Sequence, residues 1–196
     1  MPRPKNYPLD LRDRLVAAAF EYLRLRDPEH MSLRDLAAEC DTSTNAVYSM
    51  FGSKDALIDE VAAVARRDFL DPQFALAEGE PTLATLTASG HHYRTWALAN
   101  PGLYRLLFGG AARTRHVPRA EMVEPIRLML ERMQGAGVLA PHDSEEMSLS
   151  LWASTHGFVM LEMSVWRAHA TELDELYTTH LRNTVGRILT PTPAYA

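Results

Sequence analysis

The stretch of sequence from Ser32 to Leu57 decides the fold and reads SLRDLAAECDTSTNAVYSMFGSKDAL. It contains two short amphipathic segments, separated by a polar turn at Cys40–Thr42. Ser32 precedes the first segment and Asp35 follows three residues later, which is the pattern of a capping box at a helix N-terminus. Ser43 precedes the second segment in the same way. The spacing predicts two short helices joined by a tight turn, a helix-turn-helix.

The two predicted helices each present an apolar face to the other. On the first helix this face is formed by Leu36, Ala37 and Cys40. On the second helix it is formed by Val47 and Met50. Side chains at this spacing lie on one side of a helix, so we expect them to hold the pair at a fixed angle.

The polar residues of the same stretch are expected to face outward and to bind DNA. In a helix-turn-helix the N-terminal residues of the second helix reach base edges in the major groove. Asparagine can bond adenine through two hydrogen bonds, and serine or threonine can serve any base. Tyrosine and lysine suit phosphate oxygens. The predicted DNA-binding residues are Arg34, Ser43, Thr44, Asn45, Tyr48 and Lys54.

Bulk charge gives no support to nucleic-acid binding. The 196 residues carry a formal net charge of -5, and residues 1–56 hold eight Lys and Arg against nine Asp and Glu. Binding must therefore depend on where individual cations lie. Arg3 and Lys5, near the N-terminus, are expected to add positive charge to the interface.

The rest of the chain also has helical periodicity, which predicts an all-α protein. Strand-like alternation is absent, and Ala, Leu, Arg, Glu and Met fill the periodic segments. We expect about nine helices, divided into two domains. Residues 1–57 would form a three-helix DNA-binding domain, and residues 58–196 a helical bundle for ligand binding and dimerisation. The segment Asp71–Pro81, with two prolines and a glycine, is expected to be a linker.

The last two predicted helices, from about Ser144 and from about Glu172, suggest an assembly surface. The first of them has a heptad-like apolar seam, and its other faces are apolar as well. A helix that is apolar all round is buried on both sides. A second subunit would provide the other side, and the alternative is that both helices complete an internal bundle. The predicted dimer-interface residues are Phe158, Val165, Leu181 and Val185.

Aromatic and methionine side chains gather in segments of the C-terminal half that are expected to converge. Such side chains suit adaptable apolar cavities, although they also fill ordinary cores. The predicted ligand-binding residues are Trp96, Tyr104, Phe108, Met129, Trp152, His156 and Met160. Trp152 and His156 are four residues apart on one helical face, and a core histidine bonded to a neighbour is the alternative for His156.

Several other functions lack their signatures. Nucleophile-elbow, phosphate-loop, dinucleotide-binding and kinase motifs are all missing, so we expect no enzymatic activity. No zinc-type spacing of histidine or cysteine occurs, and neither a metal nor a cofactor is expected. The single cysteine, Cys40, fits a reducing compartment. No run approaches the roughly 18 apolar residues of a membrane span, so a cytoplasmic location is predicted.

The runs Ser32–Glu39 and Ser43–Leu57 resemble the DNA-binding domain of TetR-family regulators. The hallmark of that family is a Leu-Tyr pair, a Phe three residues later, then Ser-Lys and a Leu. The matching residues here are Val47, Tyr48, Phe51, Ser53, Lys54 and Leu57. Three positions depart from it. Asp41 replaces the usual turn glycine and tolerates a left-handed conformation better than most residues. Thr42 replaces an apolar residue, and Met50 replaces a histidine.

A second resemblance covers the C-terminal half. Tyr93, Trp96, Asn100–Gly109, Leu151-Trp152 and His156-Gly157 resemble the WHG-type C-terminal domain of some TetR proteins. Together, the two resemblances imply a homodimeric transcriptional regulator, usually a repressor, that binds double-stranded DNA at a near-palindromic operator. A small apolar effector would release it. The alternatives are a DNA-binding adaptor controlled by a protein partner and a helical enzyme that uses the same fold.

Overall fold

The computed structural model describes residues 10–109, 119–166 and 170–188, so Arg3 and Lys5 lie outside the described residues. Within these ranges the chain has nine α-helices and no strand, which confirms the predicted all-α class. The helices are α1 (Leu11–Leu25), α2 (Leu33–Glu39), α3 (Thr44–Phe51), α4 (Lys54–Glu78), α5 (Leu83–Ala99), α6 (Pro101–Phe108), α7 (Arg119–Gly135), α8 (Ser144–Ser164) and α9 (Ala170–Ile188). Over the same ranges, no helix combines the length and the apolar character that crossing a membrane requires.

The described residues form two compact units. The first contains residues 10–68 and 99–109, and the second contains residues 69–98, 119–166 and 170–188. This division differs from the expected boundary after residue 57 in two places. The first part of α4 belongs to the first unit, and α6 belongs to it as well.

The association of α6 with the first unit depends on a glycine. A Cβ atom at Gly102 would lie 2.7 Å from the carbonyl oxygen of Arg26 and closer still to that of Leu23. Only a residue without a side chain allows α6 to approach the end of α1 this closely. Arg105 of α6 adds an exposed ion pair with Asp27, at an N–O distance of 2.9 Å.

The expected linker at residues 71–81 is wrong over most of its length, because α4 continues to Glu78 with Pro72 inside it. A proline within a helix costs a backbone hydrogen bond and strains the preceding turn. Burial offsets that cost, since Leu70, Gln73 and Ala77 are all within 4% of complete burial. Tertiary packing of this stretch therefore overrides the helix-breaking tendency of the proline.

The second unit contains an apolar core cluster that draws on five helices. Its buried residues are Ala77, Leu86, Met129, Leu130, Met133, Leu139, Leu151 and Val185. Half of these belong to α7 or to the turn that follows it. Because these residues pack into one core, apolar residues recur at helical spacing in the C-terminal half of the sequence.

A buried ion pair joins α5, α8 and α9 in the same unit. The Arg94 guanidinium donates from Nε and Nη2 to the two carboxylate oxygens of Glu162, at 2.7 and 2.6 Å. Its Nη1 lies 2.7 Å from Oδ1 of Asp174, and its carbon lies 5.0 Å from the ring centre of Tyr177. The hydrogen bonds to Glu162 are the main reason why the pKa of Arg94 is raised above its ordinary value. The cation therefore holds three helices together.

Candidate nucleic-acid interface and interior cavity

Local hydrogen bonds fix the helix-turn-helix in the first unit. Ser32 Oγ accepts from the backbone N–H of Asp35 at 3.3 Å, and Ser43 Oγ accepts from that of Ala46 at 3.2 Å. These bonds satisfy N–H groups that a helix N-terminus leaves without partners. Asp41 has φ = +51°, so it adopts the left-handed conformation expected where the turn glycine is replaced.

The facing sides of α2 and α3 are packed as the sequence predicts. Leu36, Ala37, Cys40 and Val47 are all buried, whereas Met50 is half-buried. Burial raises the pKa of the Cys40 thiol, which therefore packs as an uncharged side chain. The packed faces set the angle at which α3 presents its opposite side.

The opposite side of α3 is polar and accessible. Asn45 and Tyr48 are exposed, Tyr48 by 52%, and Thr44 is half-buried beside them. These three residues lie within the first turn and a half of α3. Ser43 is exposed too, but its side-chain oxygen is the acceptor of the helix cap. One lone pair and the hydroxyl hydrogen of Ser43 remain for other partners.

The two predicted cations lie on neighbouring helices. Arg34 is exposed on α2, and Lys54 is the first residue of α4. Lys54 Nζ donates to the backbone carbonyl of Glu29 at 3.4 Å, a long bond to a neutral acceptor. Such a bond leaves the ammonium group able to turn toward a phosphate.

Arg12 is a positioning residue of this site that sequence reasoning missed. Its Nη1 donates to the backbone carbonyl of Met50 at 2.8 Å, and its guanidinium lies 4.5 Å from the ring centre of Phe51. It also forms an ion pair with Glu60 of α4. Arg12 thus ties α1 and α4 to the C-terminal end of α3. Its partners are 38 and 48 residues away, so no local pattern could have revealed them.

The second unit contains a cavity that is partly open to solvent. Five helices contribute to its wall. The lining residues are Phe69, Gln73, Leu86, Ser89, Gly90, Tyr93, Met122, Pro125, Ile126, Leu151, Trp152, Thr155, Leu181, Thr184 and Val185. The wall is mainly apolar, and the fifteen lining residues include no Asp, Glu, Lys, Arg or His.

Of the seven predicted ligand-binding residues, only Trp152 lines this cavity. Met129 is part of the apolar core, and Met160 is exposed on α8. Tyr104 and Phe108 belong to the first unit, where their ring centres lie 4.8 Å apart. The predicted ligand-binding residues therefore lie in several separate environments.

The other two predicted ligand residues lie near the cavity residues of the second unit. The Trp96 ring centre lies 5.1 Å from that of Phe69, which lines the cavity. His156 Nδ1 lies 2.9 Å from the hydroxyl oxygen of Tyr93, another lining residue. Burial lowers the pKa of His156, so its ring is neutral at physiological pH.

Two polar lining residues, Gln73 and Ser89, were not identified from the sequence. Both are 4% exposed and they bond to each other. The available signal was spacing, since Gln73 follows the buried Phe69 by four residues on α4. A buried glutamine at an apolar position indicates a polar pair, but the sequence does not show its partner.

The structure buries most of the predicted dimer residues within one chain. Phe158, Leu181 and Val185 are all at least 90% buried within a single chain, so they pack inside the second unit. Only Val165 is exposed, by 67%. Four large apolar residues are exposed in this region: Met160 and Leu161 on α8, Val165 at its end, and Leu176 on α9. An apolar side chain on these helices thus faces the core more often than the surface.

Acidic, histidine and cysteine side chains do not gather into a metal-type cluster of three or more anywhere in the ranges the structure covers. The two candidate sites described above are the outer face of α3 and the cavity of the second unit.

Comparison with known proteins agrees with this architecture. A family model described as "Bacterial regulatory proteins, tetR family" matches residues 15–61, and one described as "Tetracyclin repressor-like, C-terminal domain" matches residues 86–184. No curated protein matches the chain at a significant level.

Solved structures share the fold at low sequence identity. A protein of unknown function from Rhodococcus sp. RHA1 is 24% identical with a TM-score of 0.73, covering 96% of this chain and 100% of its own. The regulator PfmR from Thermus thermophilus is 18% identical with a TM-score of 0.66, covering 91% and 100%. A TetR-family regulator from Streptomyces coelicolor is 18% identical with a TM-score of 0.69, covering 91% and 80%. The chain therefore belongs to the TetR family of bacterial regulatory proteins and is a DNA-binding transcriptional regulator.

Proposed function

We propose that this chain is a cytoplasmic, homodimeric repressor that leaves a near-palindromic operator when a small, mainly apolar molecule occupies its cavity. Regulators of this family bind DNA and small effectors and form dimers. The observation that carries the proposal is the presence of two sites in one chain. One is an exposed polar face on α3, and the other is an uncharged cavity in the second unit.

The polar face of α3 supplies the chemistry of base recognition. Asn45 and Tyr48 are three residues apart, which places them on one side of the helix about 4.5 Å apart along its axis. The Asn45 amide can bond adenine, and Thr44 can reach a neighbouring base. We expect Tyr48 and Lys54 to bind phosphate oxygens, which fix the register on the duplex without reading its sequence.

The dimer surface proposed here is the exposed side of α8 and α9. It contains the exposed residues Met160, Leu161, Val165 and Leu176. Two glycines, Gly157 and Gly186, lie on the same helices, and an added Cβ at either would meet no atom within 4 Å. Small residues let helices of two subunits approach closely, and apolar side chains around them supply buried area. A two-fold dimer would then place one recognition helix in each half-site.

Release of DNA follows from linkage between the two sites. A ligand that binds one spacing of the recognition helices better than the other must weaken DNA affinity by the same factor. Helix α4 is continuous from Lys54, beside the helix-turn-helix, to Gln73 and beyond in the cavity wall. It is the shortest covalent route by which a change at the cavity could alter the first unit.

Fluorescence anisotropy of an operator duplex, titrated with a panel of uncharged metabolites, tests the proposal. At least one compound should lower the anisotropy and raise the melting temperature of the free protein. Trp152→Ala should abolish both effects of that compound while leaving DNA affinity in its absence unchanged. Ser150→Ala, an exposed position on the same helix, is the matched control and should behave as wild type. If no compound has either effect, control by a protein partner becomes the better account.

A further inference from the structure

The cavity wall restricts the charge of any molecule that it can hold. An ion buried without a counter-charge loses its hydration and is strongly disfavoured. The lining residues include no acidic or basic side chain, and the imidazole of His156, which is bonded to the Tyr93 hydroxyl, has its pKa lowered by burial. The cavity therefore suits an uncharged molecule.

Gln73 and Ser89 form a polar point on the wall, and both side chains are almost completely buried. The Ser89 hydroxyl donates to Gln73 Oε1, and Gln73 Nε2 donates to the backbone carbonyl of Ser89 at 3.3 Å. A glutamine amide has two hydrogens and two acceptor lone pairs. Within the described residues, this pair uses one of each, so one N–H and one lone pair of Gln73 are left for another partner.

We infer that the cavity takes an uncharged, mainly apolar molecule with one hydrogen-bonding group, a hydroxyl or a carbonyl, and that the Gln73–Ser89 pair binds that group. This inference rests on the proposed function only in treating the cavity as a ligand site. The pair holds a donor and an acceptor in fixed positions on α4 and α5, so either kind of group finds a partner. The surrounding wall, including Phe69 and Trp152, provides apolar contact for the rest of the molecule.

Three probes with the same alkyl chain separate charge from hydrogen bonding: 1-octanol, octanoate and octylammonium. Binding to the full chain, without DNA, is measured by titration calorimetry and by the fluorescence change expected from Trp152 in the wall. 1-Octanol should bind at least tenfold more tightly than either ion, since only the ions must give up charge hydration. Binding of an ion as tightly as the alcohol, or no binding of the alcohol at millimolar concentration, would overturn the inference.

A double variant, Gln73→Leu with Ser89→Ala, tests the assignment of the polar point. Replacing both partners by apolar groups leaves no unsatisfied atom, so the fold should be retained, as circular dichroism would show. The affinity for 1-octanol should fall about two- to tenfold, the usual size of one hydrogen bond. Thr155→Val, which removes a hydroxyl from another part of the wall, should leave it unchanged. Equal effects of the two changes would refute the role of the pair.

The same titrations keep this inference apart from the proposed function. Binding of 1-octanol without release of the operator would support the cavity chemistry and count against the repressor mechanism. Release of the operator by a charged metabolite, with weak binding of 1-octanol, would support the repressor mechanism and count against the cavity chemistry. In both cases the calorimetric measurement on free protein decides the question about the cavity.

Discussion

Substitution of Arg94 by leucine should strongly destabilise the second unit. The change removes the cation and leaves the carboxylate of Glu162, which is 7% exposed, in a buried position without its partner. Breaking a buried ion pair in this way costs about 3–5 kcal/mol. A domain has a total free energy of unfolding of about 5–15 kcal/mol, so the loss is a large part of it.

Two comparison variants show whether Glu162 or Asp174 is the partner of Arg94 that contributes to stability. Asp174 is 69% exposed, and an exposed pair contributes about 1 kcal/mol or less, so Asp174→Asn should have a small effect. The double variant Arg94→Leu with Glu162→Leu removes both buried charges and should recover most of the loss, because no unpaired ion remains.

The free energy of unfolding of each of the three variants is obtained from urea unfolding followed by circular dichroism, using the midpoint and slope of the transition. We expect a large loss for Arg94→Leu, a small one for Asp174→Asn and a near-native value for the double variant. If the double variant is as unstable as Arg94→Leu alone, the cost does not come from an unpaired carboxylate and the reasoning is refuted.

Three further predictions concern other parts of the molecule. Gly102→Ala should lower the melting temperature, because its Cβ would meet the backbone oxygens of Leu23 and Arg26, and overpacking costs about 1–3 kcal/mol. Gly135→Ala, where the added atom meets nothing within 4 Å, is the control. Because the native pKa of His156 is lowered, wild-type stability should fall as pH drops below about 6.5, the unfolded value, and His156→Gln should reduce that dependence in urea titrations. Gly157→Trp should give a monomer in light scattering without loss of helicity, whereas Gly135→Trp should remain dimeric. A dimeric Gly157→Trp protein would exclude the proposed surface.

Local chemistry explains what the sequence allowed us to predict. The serine caps at Ser32 and Ser43 and the left-handed turn at Asp41 involve residues at most a few positions apart, so their patterns are visible in the sequence. Their presence also fixes the position of Asn45 and Tyr48 on the outer face of α3.

Long-range packing explains what the sequence did not show. The helix through Pro72 is maintained by burial of its neighbours, and Arg12 acts on partners far along the chain. The apolar pattern of α8 and α9 predicts contact with a partner subunit, although Phe158 and Leu181 pack within the chain. Periodicity shows that a face is buried, but it does not show whether the same chain or another one buries it.

The most direct test of the central claim is selection of duplexes from a random library by the full chain and by its Asn45→Ala variant. The wild type should select a near-palindromic sequence, and Asn45→Ala should lose preference at one position of each half-site, by about 1–3 kcal/mol. Thr95→Ala, an exposed change on α5, should select the wild-type sequence. Selection of the same sequence with the same preferences by Asn45→Ala, or no enrichment by the wild type, would contradict the assignment of α3 as the recognition helix.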